Sequence, residues 1–323
     1  MEWRTRVTEL LGCKYPILEG AFAGFGNWQF AAAVAEAGAH GLITAAASRT
    51  PEKLREDIRK CRDATDKSFG VNLSFGSCPQ IEEMLEVCIE EGVPVETAVY
   101  NPESLAPRIK EAGVKWIHKA ARVKDALYAQ ELGADAVIVV GLEGVGFKNP
   151  EQLPTLITTT WGKRQIKAPF IAAGGIGDAL GFLGAMGMGA DGIMMGTAFM
   201  ATKECPINDT AKKALVLMEP DHPELRHRVL TSADPKAFEE VRKLRDTVPL
   251  EKWLQMLRRI NRGDPNWRSP ADSASREDET TPSRLGSLAV AVIDHVPTVK
   301  ELIDGIIHGA EGLLDSWQFL KTR

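Results

Sequence analysis

The sequence predicts an α/β fold: a closed (β/α)8 barrel of parallel strands, with a helical extension inserted before its last helix. Three observations predict it: a repeated helix–glycine–strand unit, strand runs apolar on both faces, and eight such runs in all. The unit reads Ala35-Glu36-Ala37-Gly38 before Gly41-Leu42-Ile43-Thr44, and Glu90-Glu91-Gly92 before Val95-Glu96-Thr97-Ala98. It recurs as Lys110-Glu111-Ala112-Gly113 before 114–118, Gln130-Glu131-Leu132-Gly133 before 136–140, and Gly187-Met188-Gly189 before 192–195. A glycine just past a helix takes the left-handed conformation without a Cβ penalty and turns the chain into the next strand. Strands one helix apart lie parallel, because a parallel pair needs a crossover.

In order, strands are expected at 15–18, 41–45, 69–73, 95–99, 114–119, 136–140, 170–173 and 192–195. Helical apolar spacing fills the intervals at 28–37, 51–62, 81–90, 102–112 and 123–132. An open doubly wound sheet is the alternative, disfavoured because no G-x-G-x-x-G follows the first strand. The pattern stops after Thr202. Two or three helices are expected over 219–262, with stripes of Ala237, Val241 and Leu244 and of Trp253, Leu254, Leu257 and Ile260. Residues 264–284 are polar and patternless, as in a lid or a disordered segment. A helix over 299–314 then closes the outer ring. The barrel is thus assigned to 1–215 and 286–323, and the extension to 216–285.

With 323 residues, 44% hydrophobic and 26% charged, the chain suits one barrel of about 250 residues plus an extension. A net charge of −5 without a local Lys/Arg run argues against a nucleic-acid partner. Cys13, Cys61, Cys78, Cys88 and Cys205 form no C-x-x-C and have no histidines at metal-ligand spacing. They are expected to be buried, reduced thiols of a cytoplasmic protein rather than a Cys78–Cys88 redox pair, and no metal is expected. No apolar stretch approaches the ~20 residues of a membrane span, and no signal core follows Met1–Arg6.

In such barrels the active site lies at the C-terminal ends of the strands, with phosphate often held after the seventh and eighth. A glycine cluster stands at each place: Ala173-Gly174-Gly175-Ile176-Gly177 and Met195-Gly196-Thr197. Glycines let main-chain N–H groups approach an anion, and the Thr197 hydroxyl adds a donor. Helix–strand punctuation is the plainer account of either cluster alone; two clusters at the two phosphate positions favour phosphate.

Small residues elsewhere at the mouth (Ala21, Phe22 and Ala23 after the first strand, Gly141 after the sixth) leave room for a flat ring. Asn72 ends the third strand with both donor and acceptor, and Lys119 ends the fifth with a cation suited to charge on a reduced ring. The alternatives are a backbone-satisfied amide and a lysine reaching to solvent. Glu143 is the remaining acid or base, or a structural acceptor. His118 should face the helices and His40 the barrel floor, both structural.

These stretches carry a resemblance. The chain resembles the nitronate monooxygenase family, formerly 2-nitropropane dioxygenases, which includes FMN-dependent NAD(P)H:quinone reductases and flavin-type enoyl-thioester reductases. The similar segments are 4–12 leading to Tyr15-Pro16-Ile17, Phe69-Gly70-Val71-Asn72-Leu73, 114–119, 172–176, 190–204 and 287–302. The resemblance implies a TIM barrel binding FMN, with Asn72 and Lys119 near the ring and Gly174, Gly175, Gly196 and Thr197 on the phosphate. It departs at Glu143-Gly144-Val145-Gly146-Phe147, where the family carries a proton-accepting histidine at the position of Phe147, and at Phe22, where it carries methionine.

Phe147 takes no proton at any pH, so it is expected to act as an aromatic wall over the flavin. The expected activity is NADH- or NADPH-dependent reduction of a quinone or conjugated carbonyl, with Lys119, Glu143 and Phe147 as catalytic positions. Oxidation of anionic nitronates by dioxygen is the second reading. A flavin-free phosphosugar isomerase or lyase, using Glu143 and Glu19, and a barrel that binds without turnover are the outside rivals. The partner is a small molecule, with a homodimer left open.

Overall fold

The computed structural model describes residues 1–20, 25–74, 78, 80–98, 102–145, 149, 151–230, 240–241, 243–244, 247–249, 252–253, 256 and 286–317. The chain enters through α1 (Arg6–Leu11), whose start is fixed by reciprocal hydrogen bonds between Thr5 and Thr8. It continues through β1 (Ile17–Glu19), α2 (Trp28–Glu36), β2 (Gly41–Thr44), α3 (Ala45–Ser48), α4 (Pro51–Ala64), β3 (Phe69–Ser74) and α5 (Ile81–Glu91). Next come β4 (Val95–Ala98), α6 (Ala106–Ala112), β5 (Trp116–Ala120), α7 (Val123–Glu131), β6 (Ala136–Val140), α8 (Thr155–Gln165) and β7 (Phe170–Ala173). The described elements end with α9 (Ala179–Gly187), β8 (Gly192–Met195), α10 (Thr197–Met200), α11 (Asp209–Leu217), α12 (Pro223–Leu230), a 3-10 turn (Leu288–Val292) and α13 (Val299–Ser316).

All strand pairs are parallel, in the order β1-β8-β7-β6-β5-β4-β3-β2. The seam between β1 and β2 is closed by a bridge from Leu18 to His40, with Glu19 N donating to His40 O and His40 N to Ile17 O, each at 2.9 Å. The Glu19 side chain extends this seam, its Oε2 accepting from Leu42 N at 2.9 Å. The result is the eight-stranded TIM barrel that the repeat predicts.

The punctuating glycines Gly38, Gly92, Gly113, Gly133 and Gly189 all have positive φ. At Gly113 the φ of 67° lets its N–H reach back to Lys110 O.

Several boundaries differ from expectation: β1, expected at 15–18, runs Ile17–Glu19, and β3, expected to end at 73, runs to Ser74. The helix expected from 102 starts at Ala106, because 102–105 folds into a turn closed by Leu105 N to Pro102 O. β2 stops at Thr44, because Ala45 already begins α3. β5 runs from Trp116 to Ala120 rather than from Val114.

The pleat sends alternate side chains to two cores. One lies between sheet and helices and includes Val137, Val139, Ala172 and Ile193 with Phe30, Phe182 and Phe199. The other fills the barrel with Leu18, Leu42, Ile117, Ala136, Ile138, Ile171 and Met194. Burying Ile138 fully contributes roughly 1.5–3 kcal/mol. The same alternation places Thr44, Asn72, Glu96 and Lys119 with the barrel-facing set, towards the C-terminal strand ends. Thr44 registers with Asn72, Asn72 with Glu96, and Ala98 with Lys119.

α13 returns against α9 and α2, completing the outer ring. Thr298 and Glu301 form a capping box at its start, and Val299 N donates to Glu204 Oε2 at 2.9 Å. In the extension, Leu225, Val229, Val241 and Trp253 are buried, and Trp253 Nε1 donates to Val241 O at 2.7 Å. Ala237, Leu254, Leu257, Ile260 and 264–284 lie outside the described residues.

The five cysteines are buried thiols that form no disulfide among the described residues, with Cys78 Sγ 3.0 Å from Met84 Sδ. Among the described residues, no cluster of His, Cys, Asp and Glu could hold a metal, and no helix is long and apolar enough to cross a membrane.

Candidate active site

The seventh and eighth strands end side by side, and each runs into a glycine turn. Gly174 and Gly175 follow β7 with φ of 105° and 73°, a region that a side chain rarely enters. Gly196 follows β8 and leads into α10. Gly20, leaving β1, lies so close that a Cβ there would stand 2.7 Å from Met195 O and 2.8 Å from Gly196 Cα. Among the described residues, the N–H groups of Gly174, Gly175, Gly196 and Thr197 have no protein acceptor. Asp178 caps α9 through Gly181 N at 2.8 Å, so the helix start is held by its own carboxylate while the turn before it stays free.

Thr197 does not act alone. Its Oγ1 lies 2.8 Å from Ser287 Oγ and accepts from Ser287 N at 2.9 Å, while Ser287 Oγ accepts from Ala289 N at 3.2 Å. The two hydroxyls hold two protons, and one is used between them. The other is available to a ligand. Both residues are buried, so that spare donor favours an anion at this corner.

Glu143 is fixed by α8. Its Oε2 accepts from Thr155 N and from Thr155 Oγ1, both at 2.8 Å. Thr155 Oγ1 also lies 2.9 Å from Gly174 O. The one Thr155 hydroxyl proton serves either Glu143 Oε2 or Gly174 O, but the 2.9 Å approach directs the Gly174 carbonyl towards α8, and in a trans peptide the next N–H, that of Gly175, then points away from it. Gly141 allows this approach: a Cβ there would fall 2.1 Å from Thr155 Oγ1 and 2.4 Å from Thr155 N. Gly141 and Glu143 thus shape the corner through Thr155.

On the opposite side of the barrel the inward row is polar. Glu96 Oε1 accepts from Asn72 Nδ2 at 3.0 Å and pairs with Lys119 Nζ at 3.1 Å. Glu96 is 1% exposed and Asn72 2%, whereas the Lys119 side chain is 20% exposed. Glu96 Oε2 and Thr44 Oγ1 are buried without a hydrogen-bond partner among the described residues. Burial normally costs such atoms ~1–3 kcal/mol each, a cost that a bound molecule offering donors would relieve.

Of the sequence-predicted positions, Asn72 and Lys119 come together through Glu96, and Gly141, Glu143, Gly174 and Gly175 through Thr155. Ala173 packs within the barrel, while the Met195 side chain packs in the helix-facing core and offers the corner its backbone. Ala21, Phe22, Ala23 and Phe147 lie outside the described residues. His118 is buried on the helix side, its Nδ1 2.8 Å from Thr97 Oγ1, and burial lowers its pKa to about 3. His40 is buried at the seam beside Ser68 Oγ, also lowered by burial to about 3.

Sequence reasoning missed Glu96, Ser287 and Thr155. For Glu96 a signal existed: one charged residue in a buried run, at the parity shared by Asn72 and Lys119.

The mouth of the barrel thus joins two glycine turns and a buried hydroxyl pair to a buried polar wall. Comparison with known proteins supplies the class. The nitronate monooxygenase family profile matches residues 4–309, and the chain belongs to that family of oxidoreductases. It is 29% identical, over 99% of both chains, to a protein of Rhodococcus jostii (strain RHA1) named (3aS,4S,5R,7aS)-5-hydroxy-7a-methyl-1-oxo-octahydro-1H-indene-4-carboxyl-CoA dehydrogenase. It is also 29% identical to a probable nitronate monooxygenase of Staphylococcus aureus (strain MSSA476), over 66% of this chain and 72% of that one. Among solved structures, FabK from Thermotoga maritima superposes with a TM-score of 0.76 at 30% identity, covering 98% of this chain and 99% of the other.

Proposed function

We propose that the chain is an FMN-dependent oxidoreductase that uses NADH or NADPH to reduce a conjugated carbonyl or a quinone, with an enoyl thioester as the favoured substrate class. The observation that carries this reading is the glycine corner: N–H groups of Gly174, Gly175, Gly196 and Thr197 that find no acceptor among the described residues, beside the Thr197–Ser287 hydroxyl pair. The thioester preference draws on the Rhodococcus relative, which spans the full chain and is named for a CoA thioester.

The residues present fit FMN. Those four N–H groups and the spare hydroxyl proton suit its phosphate, while Asn72 and Lys119 suit the polar edge of its ring. The donors that Glu96 Oε2 and Thr44 Oγ1 lack are of the kind FMN carries. Bound there, FMN would supply reversible hydride chemistry.

The chain's own groups then bind, orient and exclude. Lys119 brings positive charge to the mouth, where it favours the reduced, anionic form of a ring. Glu143 anchors Thr155 through the Thr155 N–H, leaving the Thr155 hydroxyl between its carboxylate and the Gly174 carbonyl, a positioning role. Phe147 accepts no proton, so the substrate must be one that needs no deprotonation, and its ring suits stacking on a planar substrate.

A second reading, oxidation of an already anionic nitronate by dioxygen, is favoured by the family match and also needs no base. The flavin-free isomerase is disfavoured, because Glu19 is sealed in the seam and Glu143 is tied to Thr155. The test is anaerobic bleaching of purified, yellow protein by NADH or NADPH, followed by reoxidation with an enoyl thioester or a quinone, and in parallel an oxygen-uptake assay with a nitronate and no nicotinamide. Bleaching and reoxidation by the thioester or quinone support the proposal. Oxygen uptake on adding a nitronate to the oxidised protein without nicotinamide, with no reoxidation of bleached protein by thioester or quinone, selects the second reading, and absence of bleaching overturns the nicotinamide part.

A further inference from the structure

We infer that Glu96 is a positioning residue of the redox site, a buried carboxylate that orients the Asn72 amide and tethers the Lys119 ammonium, thereby setting the charge that the FMN ring meets. The inference rests on the FMN reading above and deepens it.

A carboxylate only accepts, so at 3.0 Å Asn72 must turn its NH2 towards Glu96 and its carbonyl oxygen away. That fixes which end of the amide is left for a ligand, an orientation derived from the partner's chemistry. The same Oε1 takes Lys119 Nζ at 3.1 Å. The ammonium is the more exposed member of the pair, its side chain 20% accessible against 0% for Glu96. Glu96 therefore lies beneath a cation that it holds in place.

The barrel itself does not call for a charge here. Inward positions on the far strands are apolar: Ile138, Ile171, Ala173 and Met194. Glu96 also leaves Oε2 buried and without a donor among the described residues, which a purely structural carboxylate would ordinarily satisfy. With water excluded, its charge is weakly screened and acts over the neighbouring site.

The experiment measures the midpoint potential of FMN bound to the full chain. Glu96→Gln removes the counter-charge and leaves Lys119 uncompensated. The affinity ratio of reduced to oxidised FMN should rise at least about tenfold, a shift of about 30 mV to more positive potential for a two-electron couple. Adding Lys119→Met to Glu96→Gln should abolish that shift. A merely structural Glu96 would weaken FMN binding in both forms alike and leave the potential unmoved. If Glu96→Gln fails to fold, Lys119→Met alone decides, with a shift to more negative potential expected.

An unchanged potential in a folded, FMN-loaded Glu96→Gln protein overturns the inference and leaves the FMN reading standing. So does a shift that persists in the double variant, or no shift in Lys119→Met where that variant decides. A wild-type chain that binds no FMN overturns both.

Discussion

Replacing Glu19 by glutamine should make the protein less sensitive to rising pH. Glu19 is fully enclosed at the β1–β2 seam, its Oε2 accepting from Leu42 N and its Oε1 without a partner. Burial, opposed by the Leu42 bond and reinforced by the charge of Glu96, pushes its pKa well above the ordinary 4.5. The unfolded chain loses the proton near that ordinary value, whereas the folded chain keeps it. The unfolded state then holds one proton fewer, and stability falls by about 1.4 kcal/mol per pH unit. The contribution is complete below pH 4.5 and drains away as pH rises towards the native-state pKa.

Glutamine preserves the acceptor for Leu42 N, places an amide where the carboxyl proton stood, and does not titrate. Groups common to both proteins cancel in the difference. Urea unfolding of wild type and Glu19→Gln over a pH range rising from about 4.5 should show the variant gaining on wild type, by up to about 1.4 kcal/mol per pH unit below the native-state pKa. A difference that stays constant across it would refute the assignment of a protonated Glu19 to the seam.

Ser287→Ala removes one of the two hydroxyls at the anion corner, and FMN affinity should fall about tenfold, read by quenching of flavin fluorescence in a titration. An unchanged affinity places the phosphate elsewhere. All five thiols should resist a maleimide at neutral pH in the folded protein and react once it is denatured. Burial holds Cys13, Cys61, Cys78 and Cys205 up at about 12 and Cys88 higher still. Phe147→His restores a proton acceptor where the family carries one, so oxidation of a neutral nitroalkane should appear or rise at least about tenfold, measured as oxygen uptake. No gain would show that position 147 lies away from the reacting carbon.

The barrel was legible because its cues are local and repeated. Each punctuating glycine marks one helix end, and Val137 and Ile138 belong to a run that can be apolar throughout because both faces are covered. The anion corner was half legible: Gly174, Gly175 and Gly196 announce backbone that approaches something closely, but Ser287 stands 90 residues from Thr197 and no local pattern joins them.

Glu96 shows the other limit. It occupies a short strand whose run, Val95-Glu96-Thr97-Ala98, resembles an ordinary half-polar strand until the register sets Glu96 beside Asn72. Lys119 reaches it from the next strand, two residues further along than Glu96's own register partner, Ile117. Glu143 is similar: its sequence suits an acid or a base, and only the approach of Thr155 across Gly141 shows what its carboxylate holds.

The central claim is that one phosphate-bearing flavin is held at the mouth of this barrel. Equilibrium titration of the purified, flavin-stripped chain with FMN, followed by quantification of the flavin released on denaturation, tests it most directly. The account predicts saturable binding of one FMN per chain, weakened when the phosphate is removed to give riboflavin. Binding that ignores the phosphate, or no binding at all, contradicts it.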